Sequence, residues 1–316
     1  MDIEMPFARI LHSVMVLVAA LGVNVADVGL LSAQDKPTET TRFSSEMVQI
    51  KDDRPRKPLA SFRAVYDINL APGANKAGLS ALDGRMVYEL NGSVCDGFAL
   101  THRFVTRVDL SEGQTSLTDL RSASFENPVD RSFQFITRTL IDQELSQTSR
   151  GLAVHDKEFT YVALSEPEED TLELPKDVLY PVEFTDALLK AAVAGNRFFE
   201  ATIYDGTDTG DLVFEITAVI GVAKSSGELS NIYKELDGLR HWPVTIAYFE
   251  TGKDEDDMAP IYEISMELYE NGVSGEVKID YPDFSLVGTL SELKILSTSS
   301  CDPNDVKRTP NSNGNG

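Results

Sequence analysis

The residues able to do chemistry are few and far apart. Four histidines, His12, His102, His155 and His241, are the side chains whose ordinary titration falls near neutral pH. No two share a short spacing, such as i, i+4 on a helix, that would present both imidazoles to one metal ion. His102 has the strand parity of Leu100 and Phe104, which places it among interior side chains; His155 precedes Asp156-Lys157 and reads as a turn; His241 precedes Trp242-Pro243. The Gly-x-Ser-x-Gly nucleophile elbow and the phosphate-cradling glycine loop are both absent. The turn Asp205-Gly206-Thr207-Asp208-Thr209-Gly210-Asp211 offers carboxylates three apart, which invites a calcium reading. It lacks EF-hand spacing and a bidentate glutamate, so it reads as a solvated hairpin turn. Lys253-Asp254-Glu255-Asp256-Asp257 reads as an exposed loop between strands. The expectation is no catalytic residue, no metal, no cofactor and no enzymatic activity.

The two cysteines, Cys95 and Cys301, take their meaning from the compartment. Ile10 to Val23 is an apolar run broken only by His12, Ser13 and Gly22, with Arg9 before it. It is short for a bilayer-spanning helix, which needs about 20 apolar residues. Small-residue sites follow it at Ala26 and Ala33, so residues 1–33 are expected to be a removable signal peptide, with translation starting at Met1 or Met5. The expected location is the periplasm, with no membrane span once the signal is cleaved. In an oxidising compartment an even cysteine pair is expected to bridge, so Cys95 and Cys301 are expected to form a disulfide that clamps the end of the chain to its early strands.

Within 316 residues, 28 Lys and Arg stand against 51 Asp and Glu, a net charge of −23. Such a surface repels nucleic-acid phosphates and anionic lipid head groups, which argues against nucleic acid or a membrane surface as the partner. Residues 34–57 are polar and aperiodic and read as a flexible linker; residues 302–316 are rich in Asn, Pro and Gly and read as a disordered tail. The folded domain is expected over 58–301. Period-two alternation dominates it. Phe62, Ala64, Tyr66, Ile68 and Leu70 form one apolar face; Phe98, Leu100, Phe104, Val108 and Leu110 another; Phe133, Phe135 and Ile141 repeat it. Leu212 to Ile220 and Tyr262 to Leu268 continue the series, the last running into Asn271-Gly272, a pair suited to a tight hairpin. Pro72-Gly73, Asn91-Gly92 and Asp205-Gly206 are further turn signals. Phe184 to Ala194 alone has helical spacing, with Thr185 as candidate cap and Gly195 just past its end. The pattern predicts an all-β, continuous antiparallel sheet with one short helix, long enough that it must curl to bury one face.

Several segments resemble the EipB family of cell-envelope integrity proteins. They are Arg63-Ala64-Val65-Tyr66-Asp67, Gly84 to Gly92, Cys95-Asp96-Gly97, Thr118-Asp119-Leu120-Arg121, Phe199-Glu200-Ala201, Tyr204-Asp205-Gly206, Gly210-Asp211, Ala218-Val219-Ile220-Gly221 and Cys301. The resemblance spans roughly the whole of 58–301. It implies a periplasmic, alphaproteobacterial protein folded as a spiral-like, broken β-barrel with one internal disulfide, supporting envelope integrity under stress, with no established catalysis. Cys95 and Cys301 are the functional residues it carries over.

The aromatic residues supply the remaining functional expectation. Most must be ordinary core, because one sheet face is buried. A sheet that curls without closing leaves some of them lining a concavity, the usual place for an apolar ligand. Trp242, Phe104, Phe135 and Tyr248 are the candidate cleft residues, with the helix plugging part of the opening. The expected role is therefore support of the envelope by binding an unknown periplasmic protein partner or an apolar ligand. The alternative is a lipid or lipoprotein carrier that uses the same concavity.

Overall fold

A computed structural model of the protein describes residues 56–75, 78–225, 233–251 and 259–298. The expected signal peptide, most of the linker, the acidic run at 253–257, Cys301 and the tail lie outside the described residues. The strands are β1 (Phe62–Asn75), β2 (Leu79–Ser93), β3 (Gly97–Leu110), β4 (Thr115–Asn127), β5 (Ser132–Ile141), β6 (Glu144–His155), β7 (Phe159–Glu166) and β8 (Asp170–Pro175). The helix α1 (Pro181–Val193) follows. Then come β9 (Phe198–Ile203), β10 (Phe214–Ile220), β11 (Lys224–Ser225), β12 (Arg240–Glu250), β13 (Tyr262–Tyr269), β14 (Ser274–Asp280) and β15 (Phe284–Ile295).

All strand ladders are antiparallel and belong to one 15-stranded sheet, in the order β8-β7-β6-β5-β4-β3-β2-β1-β15-β14-β13-β12-β10-β9, with β11 paired to β12. The spiral-like, broken barrel is therefore corrected to a single open sheet: β8 and β9 are its ends, and no ladder joins them among the described residues. Both ends are built against further pairing. β8 carries Asp170 and Glu173 and stops at Pro175, and acidic residues and proline discourage edge-to-edge pairing. The edge of β9 is covered by the chain arriving from β8. Leu179 N–H donates to Thr202 O at 2.8 Å, and Tyr204 N–H donates to Leu179 O at 3.0 Å. The sheet's apolar face is buried in part under α1, which contributes Val182, Phe184, Leu188, Leu189, Ala191 and Ala192.

The expected disulfide reaches beyond the described residues. Cys95 is the one cysteine among the described residues and is not a free thiol; no disulfide joins two described residues, and the expected partner Cys301 lies outside them. Backbone pairing also ties the end of the chain to its early strands. β1 pairs with both β2 and β15, so the first and last strands lie side by side in mid-sheet, from Phe62 opposite Ile295 to Asn75 opposite Phe284. Leu296 N–H donates to Ser61 O at 2.8 Å just beyond that ladder.

The helix starts three residues earlier than its periodicity suggests. Pro181 occupies its first turn, where a missing N–H costs nothing. Thr185 is not the cap; its hydroxyl donates to Pro181 O at 3.0 Å. At Asn271-Gly272 only the glycine takes positive φ, +90°, so the turn differs from the expected form with both central residues left-handed. The expected turn at Pro72-Gly73 lies inside β1. A hairpin the glycine pattern does not mark joins β5 to β6 through Asp142 and Gln143, at φ 51° and 73°.

Candidate functional site

Alternation along the strands sends one set of side chains into a cavity of about 330 Å³. β3 contributes Leu100, His102 and Phe104, and the register sets these against β2 and β4: Tyr88 opposite His102 opposite Ser122, and Met86 opposite Phe104 opposite Leu120. β12 and β13 contribute Tyr248 opposite Tyr262 and Ile246 opposite Ile264, and β14 adds Val277 and Ile279. From α1 come Pro181, Phe184 and Leu188; from the segment after β9, Asp205 and Thr207. The aromatic rings brace one another in pairs. Phe62 stacks on Tyr88 with centroids 5.6 Å apart, and Tyr248 on Tyr262 at 4.4 Å. Stacked rings spend part of their surface on each other, and the serines at 122 and 124 are too short to fill what remains.

The electrostatics follow from burial. Loss of solvent pushes the hydroxyls of Tyr88, Tyr248, Tyr262 and Tyr281 above their ordinary range, so all four stay neutral. Burial lowers the His102 imidazole to about 4, which leaves it uncharged at neutral pH. Asp205 is pushed up by burial, while Thr207 donates to its carboxylate through the backbone N–H at 3.0 Å and the hydroxyl at 2.6 Å. Beside the cavity, Glu126 of β4 caps the start of α1. Its carboxylate accepts from Val182 N–H at 2.7 Å and from Glu183 N–H at 3.0 Å. Tyr180, the residue at the cap position, offers no side-chain bond, so a strand residue far away in sequence does the capping. Burial pushes Glu126 up to about 8 against those two donors.

Of the four expected cleft residues, Phe104 and Tyr248 line the cavity together. Trp242 does not. It lies 3% exposed in the surrounding core, opposite Leu268, with the Arg240 guanidinium 5.9 Å from its ring centre. Phe135 sits elsewhere, fully buried in a second cluster with Phe133, Tyr180 and Tyr204. Phe133 stacks on Phe135 at 5.2 Å and on Tyr180 at 5.0 Å. The acidic turn also differs from the solvated hairpin expected. It joins β9 to β10, but Asp205 faces the cavity, Gly206 lies against the Phe135 ring and Gly210 against Leu164. His155 ends β6 with its Nδ1 2.6 Å from the Thr160 hydroxyl, and His241 stacks on Tyr269 at 4.8 Å, both outside the cavity. Tyr88, Tyr262 and Tyr281 also line the cavity without being among the four expected cleft residues, although their parity with Met86, Ile264 and Ile279 marks the inward face. Glu126 and Asp205 carried no such signal.

Among the described residues no helix is long and apolar enough to cross a membrane. A family model described as EipB-like matches residues 54–297. The cell envelope integrity protein EipB of Brucella abortus (strain 2308) is 39% identical over 241 residues, which cover 76% of this chain and 85% of that protein. A crystal structure from Brucella abortus, described as a β-barrel-like protein of a domain of unknown function, superposes with a TM-score of 0.71 at 38% identity, over 76% of this chain and 99% of that one.

Proposed function

The chain belongs to the EipB-like family, as a non-enzymatic periplasmic protein tied to cell-envelope integrity, and we propose that it works by holding an apolar ligand in the cavity of its sheet. The observation that carries this reading is the wall itself. Leu100, Phe104, Leu120, Ile246, Ile264 and Val277 converge on about 330 Å³ that no side chain of the described residues fills. Protein interiors are close-packed, so an unfilled apolar space of ligand size loses dispersion contacts that an occupant restores. Residues 1–33 act as the export signal, 34–57 as a linker, 58–301 as the binding domain and 302–316 as a tail. N-terminal sequencing of the periplasmic protein is expected to start near Gln34 or Asp27.

Binding is tested with N-phenyl-1-naphthylamine, an uncharged dye that brightens in apolar surroundings. The full mature protein is expected to bind it saturably. Ser124→Phe places a ring in the space that Ser124 leaves open between Leu100 and Phe135, and is expected to lower dye affinity by about tenfold or more. Equal binding by a folded Ser124→Phe protein contradicts the reading.

A further inference from the structure

Resting on that reading, we propose that the cavity selects an uncharged amphiphile, an apolar chain bearing hydroxyl or carbonyl groups, and that Asp205 excludes chains with an anionic head. Two sets of observations point this way, one for what the wall lacks and one for what it offers.

A buried anion needs a counter-charge or an array of donors. No lysine or arginine is among the residues lining the cavity. The other source of positive potential at its edge is the start of α1, and it is already taken. Pro181 has no N–H, Val182 and Glu183 donate to the Glu126 carboxylate, and Phe184 N–H donates to Tyr180 O at 2.7 Å. The acidic group in the wall, Asp205, is held by Thr207 donors and makes no ion pair among the described residues. A carboxylate or phosphate brought into this space meets a carboxyl group and no cation.

The wall does offer neutral hydrogen-bonding groups. The hydroxyls of Tyr88, Tyr248, Tyr262 and Tyr281 and the ring nitrogens of His102 have no protein hydrogen-bond partner among the described residues. By contrast, Tyr66 donates to Ser274 O at 2.8 Å and Tyr204 to Gly210 O at 2.6 Å, while the Tyr180 hydroxyl is buried without a hydrogen bond. None of the four cavity hydroxyls or the His102 nitrogens is among the fully buried atoms that lack a partner; they open onto the cavity, where a ligand with hydroxyl or ester oxygens can pair with them in place of water. His102 adds an acceptor as well as a donor, which suits an alcohol.

The test keeps the chain constant and changes the head. Monolaurin, dodecanol and laurate compete for N-phenyl-1-naphthylamine on the full mature protein at mildly alkaline pH, where laurate is ionised. Monolaurin and dodecanol are expected to displace the dye at concentrations about tenfold or more below laurate. Asp205→Asn is expected to raise laurate affinity relative to monolaurin by about fivefold or more. Ser124→Lys, which puts a counter-charge in the wall, is expected to reverse the preference and serves where Asp205→Asn does not fold. Laurate matching monolaurin on the wild-type protein overturns the selectivity while leaving the cavity reading intact. A laurate affinity unmoved relative to monolaurin in folded Asp205→Asn overturns the role of Asp205. Absence of saturable dye binding defeats the cavity reading and this inference with it.

Discussion

Two regions of one sheet bury aromatic residues in different ways. Around β5–β8, Phe133, Phe135, Tyr180 and Tyr204 form a filled cluster. Around β2–β4 and β12–β14, Phe104, Tyr88, Tyr248 and Tyr262 ring an open one. The alternation that builds them is the same. What differs is the residue that meets the ring. At the filled end the backbone comes down onto Phe135: a Cβ at Gly206 would lie 2.4 Å from that ring and one at Gly151 2.7 Å. Gly206 also holds φ at +66°, so only glycine meets both demands without strain. At the open end the aromatic rings pair with each other, and Ser122 and Ser124 stand where larger side chains would close the gap. Filling therefore depends on which small residue lies opposite an aromatic ring, and where in the sheet it stands.

The sharpest way to break this contrast is to truncate one ring from each region. Phe135→Ala is expected to cost about 3–5 kcal/mol, because it opens a hole in a packed cluster. Phe104→Ala enlarges a space that already exists, and is expected to cost roughly 1–3 kcal/mol. Denaturant unfolding of both variants checks the order, and equal losses would erase the distinction. A smaller contrast comes from adding atoms. Gly206→Ala is expected to lose about 2–3 kcal/mol through a left-handed backbone and a clash with Phe135. Ser124→Phe is expected to stay within about 1 kcal/mol of the parent, since its ring enters free space.

The helix cap that borders the cavity gives a pH-dependent version. Glu126 is pushed up to about 8 from an ordinary 4.5. A carboxyl with a raised folded value binds its proton more tightly when folded. Its stabilising contribution is full below about pH 4.5 and is lost as pH rises towards 8. The expected loss between pH 5 and pH 7 is about 2 kcal/mol, and Glu126→Gln is expected to remove that slope. His102 works in the opposite sense. Lowered to about 4 from 6.5, it supports the fold above pH 6.5 and withdraws that support as pH falls towards 4. The slope for Glu126 is accordingly read as the difference between parent and variant over the same pH range. A Glu126→Gln slope identical to the parent contradicts its assignment as a buried cap.

Much of the scaffold was legible in the sequence where one face of a strand is uniformly apolar, as along Phe62 to Leu70, Phe98 to Leu110 and Tyr262 to Leu268. β4 was not, because its inward positions run Leu120, Ser122, Ser124 and Glu126, and a face that lines a cavity or caps a helix loses the apolar signal. The start of α1 was missed because capping came from a residue distant in sequence. The spiral-like curl into a broken barrel was over-read, since nothing local announces that Pro175 ends one edge strand and that Leu179 covers the other. Phe104 and Tyr248 share the cavity, whereas Trp242 and Phe135 obey the same alternation and end in packed surroundings. Period two tells which face a side chain takes; it does not tell what stands across from it.

Native mass spectrometry of the protein isolated from the periplasm tests the central claim most directly. The parent protein is expected to carry a non-covalent adduct that organic solvent extracts as an apolar, uncharged molecule, and Ser124→Phe is expected to fly without it. A parent protein that is free of adduct and takes up no monolaurin when supplied with it would contradict the ligand-holding role of the cavity.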